Sequence, residues 1–173
     1  ANAPTIFIAG GGREKAPTQN ESLKIGILAY TNLYPEGLEA RGENPGISRF
    51  NPDAIEEAIR RLRQEADIVI VSLHWGEEYN TSSSADQRQM ARAFIDSGAD
   101  LVIGHHPHVP QEIEKYKNGW IVYSLGNFVF DQNFSEETMG GLVARVFVEN
   151  KKVVRLEPLH IKINEMFQPV YEF

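Results

Sequence analysis

The chemistry this 173-residue sequence can offer rests mainly on its five histidines, four of which fall in two short stretches: His74 in one, and His105, His106 and His108 in the other. A neutral imidazole is a borderline ligand that suits zinc, iron and other transition metals at neutral pH. In His106-Pro107-His108 the proline favours an extended chain, where a spacing of two projects both rings to one side and fits a shared metal. The chain has no Cys, which excludes thiolate zinc sites, disulfide frameworks and cysteine nucleophiles together and leaves His and oxygen groups as ligands. His160 has no such partner nearby in sequence and reads as structural.

Other residue types near these stretches allow narrower roles. Trp75 reads as a pocket wall or as core. Glu78 and Tyr79 offer an acceptor that orients a ligating imidazole, with a solvated loop as the plain alternative. Asn127 and Asp131 flank Phe128-Val129-Phe130, a combination that buries the aromatics and presents polar ends to a cleft, or else forms an ordinary turn. Gly10-Gly11-Gly12 lacks the following Lys-Ser/Thr of a phosphate loop and is rejected as a nucleotide site. Ser82-Ser83-Ser84 has no Gly-x-Ser-x-Gly elbow around it, and helix capping accounts better for Ser84 than nucleophilic catalysis does.

The elements that must position these residues follow from periodicity. Thr5–Ala9 and Lys24–Tyr30 are short apolar runs that predict strands. Residues 31–50 are broken by Pro35, Gly37, Gly42, Pro45 and Gly46 and form a long loop. Asn51-Pro52-Asp53 is a helix start, and Ile55, Ile59, Leu62 and Ala66 make its inner stripe while Arg60, Arg61, Arg63 and Glu65 face mostly to water. Asp67–Leu73 is apolar after its first residue but for Ser72, as in a strand buried on both faces, with His74 just beyond its carboxyl end. The pattern repeats: Ser84 and Gln87 have capping-box spacing, Met90, Phe94 and Ser97 lie along one face, Gly98 stops the helix, and Leu101–Ile103 is a strand followed by the histidine cluster. Two hairpins complete the chain, Glu112–Tyr116 with Trp120–Ser124 and Leu142–Glu149 with Val153–Ile163. The class is α/β, with strand-helix-strand units followed by antiparallel hairpins; ligands of open α/β sheets bind outside the carboxyl ends of the strands, where these four His stand.

Charge and size bound the partners. Seventeen Lys plus Arg against 24 Asp plus Glu give a net charge of −7, which argues against nucleic acid as a partner unless a basic groove exists locally. No run approaches the ~18 apolar residues of a membrane span. The length suits a single domain, of roughly 100–200 residues. The chain starts at Ala1 without an initiator Met and reads as a processed, trimmed or engineered piece, from which any targeting signal would have been lost with whatever preceded it.

Three blocks resemble the bacterial CapA-type family of capsule and poly-γ-glutamate synthesis proteins: Ser72-Leu73-His74-Trp75-Gly76-Glu77-Glu78-Tyr79, Gly104-His105-His106-Pro107-His108-Val109, and Tyr123 to Gln132. Tyr30-Thr31 and Leu33 to Gly37 look like that family too, so the resemblance runs from about Lys24 to about Ile163. The family is similar to calcineurin-like metallophosphoesterases, which implies part of a four-layer α/β/β/α sandwich with two metals at strand carboxyl ends. By motif match His74 is the lone His ligand and His108 ends the Gly-His-x-His block. Gly104 to His108 holds one residue more than that block, so His106 or His105 is the remaining ligand; spacing favours His106. Nothing in Ala1–Glu21 matches the superfamily's Asp-x-His, Gly-Asp and Asn-His/Glu blocks, so the expectation is a C-terminal half holding at most one divalent metal, Mn, Zn or Fe.

What the resemblance implies functionally is a metal-dependent phosphoesterase-like site, with a metal-bound hydroxide attacking a phosphoester or related bond. The alternative is a non-catalytic accessory subunit of a membrane-bound capsule-polymer synthase or exporter, against which the negative charge speaks unless a metal or a local basic patch mediates contact with a polyanion. Expected partners are the capsule polymer or a phosphoester substrate and other capsule-synthesis membrane proteins. The expected location is the bacterial cell surface or outside the cell, with a membrane anchor in the precursor and none in this chain. A third reading is an inert fragment that folds by pairing, through an exposed sheet edge, with its missing half or as a homodimer.

Overall fold

Strand formation follows the branched apolar runs, and helix formation follows the caps. The computed structural model describes residues 5–9, 22–35, 37–41, 43–48 and 50–171. Gly10-Gly11-Gly12 lies outside them. In chain order the elements are β1 (Thr5–Ala9), β2 (Leu23–Thr31), α1 (Pro52–Leu62), β3 (Ile68–His74), α2 (Ala85–Asp96), β4 (Leu101–His105), β5 (Ile113–Tyr116), β6 (Gly119–Val122), β7 (Gly140–Glu149), β8 (Lys152–Ile163) and β9 (Pro169–Tyr171). A 3₁₀ turn spans Glu137–Met139.

Both helix starts are capped as the sequence indicates. The Asn51 side chain accepts from the Ala54 N–H at 3.1 Å, with Pro52 in the first turn. Ser84 and Gln87 form a reciprocal capping box. Ile55, Ile59 and Leu62 are the buried stripe of α1, which ends at Leu62, so Ala66 is buried in the turn that follows rather than on the helix. Arg63 departs from the expected solvent face: its guanidinium donates to Asp100 Oδ2 at 2.6 Å and to the Ala66 carbonyl at 2.5 Å, pinning that turn. The inner face of α2 is Gln87, Ala91, Phe94 and Ile95, rotated from the expected Met90, Phe94 and Ser97 because the sheet beneath it sets the contact line. Gly98 ends α2 at φ +114°, a conformation that L side chains rarely adopt.

β2, β3, β4 and β6 run parallel, with α1 and α2 as the first two crossovers, and β1 and β5 close the edges antiparallel, giving the order β1-β2-β3-β4-β6-β5. A second, antiparallel sheet has the order β7-β8-β9. Along β3, Val69, Val71 and Leu73 face the helices and join Ile55, Ile59, Phe94 and Trp75 in the main core. Ile70 of β3 belongs to the other face, where Leu101 and Val122 meet Leu156 of the second sheet. The architecture is therefore helices on sheet on sheet, an α/β metallophosphatase-like arrangement in which the described residues supply three layers of the expected four.

Registration brings the site together. Thr31, His74 and His105 lie side by side on β2, β3 and β4 at the carboxyl ends. His105 is thus the last residue of β4 and not part of the loop after it, because pairing with β3 carries that strand two residues past Ile103.

Candidate metal centre

His74 ends β3 with a partly buried ring whose Nδ1 lies 3.1 Å from Thr31 Oγ1. That hydroxyl also lies 3.2 Å from the Leu33 carbonyl, to which it donates, and accepts from the Leu33 N–H at 3.1 Å. A Thr31 hydroxyl that donates to the Leu33 carbonyl pairs with the His74 tautomer that carries its proton on Nδ1 and has Nε2 free. The loop after β4 is stitched to the loop after β3 by the Tyr79 N–H donating to the Pro107 carbonyl at 2.8 Å. This link sets Glu78 beside the histidines: one ligand atom from each of Glu78, His106 and His108 lies within 4.8 Å of the others. The His74 and His106 rings meet edge to face at 4.7 Å between centroids.

The expected extended backbone at His106-Pro107-His108 is not what joins these rings. His106 has φ +102° and His108 φ +62°, so the chain turns sharply at both and the rings converge at 5.8 Å through that turn instead of through strand alternation. His105 points elsewhere. With His74, Thr31 and Ser72 it lines a cavity of about 310 Å³ on the sheet face opposite the helices. The geometry therefore groups His106, not His105, with His108.

Asn127 is buried and accepts from His108 at 2.9 Å between Oδ1 and Nδ1, while its Nδ2 donates to the Thr138 carbonyl at 3.0 Å. The donation to a carbonyl fixes which end of the amide is oxygen, and the oxygen fixes the His108 proton on Nδ1. His108 Nε2 is left as the basic nitrogen. Burial holds the pKa values of His74 and His106 below the ordinary imidazole range, joined at His74 by the neighbouring imidazoles and opposed at His106 by the Glu78 carboxylate; burial does the same at His105. Neutral rings with placed protons are the form in which imidazole ligates.

Three sequence expectations around the cluster change. Glu78 is exposed and presents its carboxylate directly to the two rings instead of standing behind one of them. Phe128, Val129 and Phe130 are exposed, at 53%, 65% and 39%, so the segment is an apolar rim and not a buried block; the Phe130 ring lies 5.1 Å from that of His108. Asp131, beyond that rim, is exposed and stands outside the cluster. Trp75 is core: it is fully buried, stacks with Tyr123, and donates from Nε1 to the Tyr123 carbonyl at 3.2 Å. Thr31 is a site residue to which sequence reasoning gave no role; its signals were its place at the carboxyl end of a strand and the family-like Tyr30-Thr31 pair.

Residues 5–132 match the family of bacterial capsule synthesis proteins, PGA_cap. The chain is 39% identical over 145 residues to the capsule biosynthesis protein CapA of Bacillus anthracis and 40% identical over 141 residues to the PGA biosynthesis protein CapA of Bacillus subtilis, alignments that cover 81% and 82% of it. This chain belongs to the PGA_cap family. A "Probable polyglutamine synthesis accessory protein" of Mycobacterium tuberculosis is 31% identical over 112 residues, 61% of this chain and 30% of that protein. The two Bacillus alignments span 35% and 37% of those proteins, so the chain covers about a third of the length of the relatives it matches.

Within this PGA_cap chain the donor set is two imidazole nitrogens and a carboxylate oxygen, with a third imidazole adjacent. That set fits a divalent transition metal in number and chemistry, with the Asn127 and Thr31 hydrogen bonds orienting two of the rings. No helix among the described residues is long and apolar enough to cross a membrane.

Proposed function

We propose that this chain carries part of a metal-dependent phosphoesterase-like site that works in capsule or poly-γ-glutamate biosynthesis at the bacterial cell surface. The observation that carries the proposal is the convergence of Glu78, His106 and His108 within 4.8 Å, with His74 against His106, at the carboxyl ends of parallel strands. His106, His108 and Glu78 would hold a divalent cation, and His74, a neutral ring set against His106, would complete the set through Nε2. The chemistry such a cation supplies is polarisation of a phosphoryl oxygen and acidification of a water. The Phe130 and Tyr79 rings stand 5.1 and 6.1 Å from that of His108 and give one side of the cluster an aromatic edge.

The test is metal content by mass spectrometry and hydrolysis of bis-p-nitrophenyl phosphate, on the chain and on His108→Ala. Loss of metal and of hydrolysis together in the variant is expected. Undiminished metal in His108→Ala sinks the site.

The second reading, an accessory role without catalysis, is supported by the mycobacterial relative, which is named as an accessory protein of polyglutamine synthesis. Capsule restored to a deletion strain by a variant lacking His74, His106 and His108 favours that reading; failure to restore it favours the first.

A further inference from the structure

At the amino ends of the same parallel strands, some seven residues of β3 or roughly 20 Å from the histidines, lies a second cavity of about 500 Å³. Arg63, Lys115, Lys117, Lys151 and Lys152 line it, against Asp67 and Asp100. Five of the chain's 17 cations thus gather in one groove of a molecule with net charge −7. Such a concentration is a local field of opposite sign to the whole, and it attracts anions.

We propose that this groove binds an extended polycarboxylate, the chemistry of a poly-γ-glutamate chain; the choice of polymer rests on the capsule reading above, and the site is separate from the histidine cluster. Arg63 is committed to Asp100 and to the Ala66 carbonyl and serves as the floor. Lys117 pairs with Asp96 in an exposed pair worth about 0–1 kcal/mol, and Lys151 pairs at 3.2 Å with the partly buried Asp67, which keeps the Lys24 N–H as a donor when the ammonium turns to an incoming carboxylate. Among the described residues Lys115 and Lys152 have no carboxylate partner, and Lys115 instead rests its ammonium 4.9 Å above the Trp120 ring. Lys117 at φ +48° and Lys151 at φ +62° occupy turn positions where Gly or Asn is relaxed, so each places a charge where the backbone would favour another residue. Val153 and Val154 give the groove an aliphatic wall, suited to the methylenes of a γ-linked main chain. Nucleic acid is disfavoured: the groove's one arginine is already engaged, its other cations are lysine point charges, and its aromatic neighbour Trp120 is capped by Lys115.

The experiment is fluorescence anisotropy of labelled poly-γ-glutamate of defined length with the purified chain, at rising salt. The wild type binds with a log-linear salt dependence, and Lys115→Gln/Lys151→Gln/Lys152→Gln, all exposed positions, lowers affinity at least about tenfold and flattens the salt slope. His106→Ala/His108→Ala binds as the wild type does. No binding by the wild type, unchanged affinity in the lysine variant, loss in the histidine variant, or tighter binding of duplex DNA of matched charge overturns the proposal. Should the triple variant lose its cooperative unfolding transition, Lys152→Gln alone must weaken binding, or the groove is not the site. Capsule restored by the lysine variant in a deletion strain overturns the groove and leaves the capsule reading standing; a deletion that leaves capsule intact overturns that reading instead, whatever the anisotropy gives.

Discussion

A histidine ligates through one nitrogen only when the other has a place for its proton, and Asn127 supplies that place for His108. Asn127→Ala removes it while leaving His74, His106 and His108 in the chain. Loss of such an orienting partner lowers metal affinity about 10- to 100-fold. It also leaves the buried Thr138 carbonyl without its donor, at a cost of about 1–3 kcal/mol. Calorimetric metal titration beside a thermal melt checks both, and unchanged affinity with a lowered midpoint would make Asn127 a structural residue only. The lowered pKa values of His74, His105 and His106 carry a sign of their own. These rings bind protons more tightly in the unfolded chain, so their contribution to stability is complete above the ordinary value of ~6.5 and is lost as pH falls through the depressed folded values. The metal-free chain therefore melts lower at about pH 5.5 than at about pH 7.5, and His106→Asn flattens the difference. A midpoint unchanged across that interval would mean that the rings protonate freely in the fold.

At the scale of elements, the close approach of β4 to the segment after β6 depends on Gly104. A Cβ there would sit 1.8 Å from the Tyr123 carbonyl oxygen and 2.5 Å from Trp75 Nε1, with backbone on one side and a fully buried ring on the other. Neither can withdraw cheaply. Gly104→Ala is expected to cost about 1–3 kcal/mol or more, as overpacking does, and to displace His105 and His106, which follow directly. Chemical denaturation reads the first effect and metal affinity the second; wild-type stability would show that the strand shifts freely. The same contrast of local and distant causes explains what the sequence disclosed. The caps at Asn51 and Ser84, the buried run of β3 and the two hairpins are written in residues within a few positions of one another. The clustering of His74 with the later histidines was also legible, because two strand-helix-strand units in succession imply neighbouring parallel strands. The contacts that tune the site were not: Thr31 meets His74 across 43 positions and Asn127 meets His108 across 19, and neither pairing has a local signature. The turn at His106 and His108 was misread because proline biases the residue before it towards extended backbone, whereas the link from Tyr79 to the Pro107 carbonyl holds this loop bent. The rotated face of α2 and the exposure of Phe128 to Phe130 are likewise set by what lies opposite them, not by their own periodicity.

For the whole molecule, the proposed cation would tie together two loops that descend from different strands and are already joined by the Tyr79 to Pro107 and Gln111 to Asn80 hydrogen bonds. Glu78 comes from the loop after β3, and His106 and His108 from the loop after β4. In the unfolded chain Glu78 lies 28 positions from His106 and 30 from His108, so the three-donor set is assembled only by folding, and binding to it stabilises the folded state by linkage. At a hundredfold excess of free metal over Kd the gain is about 2.7 kcal/mol, and for a chain of this size that is a rise of roughly 5–10 °C in Tm. Differential scanning calorimetry with Mn²⁺, with Zn²⁺ and with chelator measures it. The rise should vanish in His106→Ala/His108→Ala and persist in the lysine variant of the distant groove, since the two sites lie at opposite ends of the sheet. A rise of the same size in the histidine variant would place the metal elsewhere on the molecule, and the phosphoesterase-like reading of these residues would fall with it.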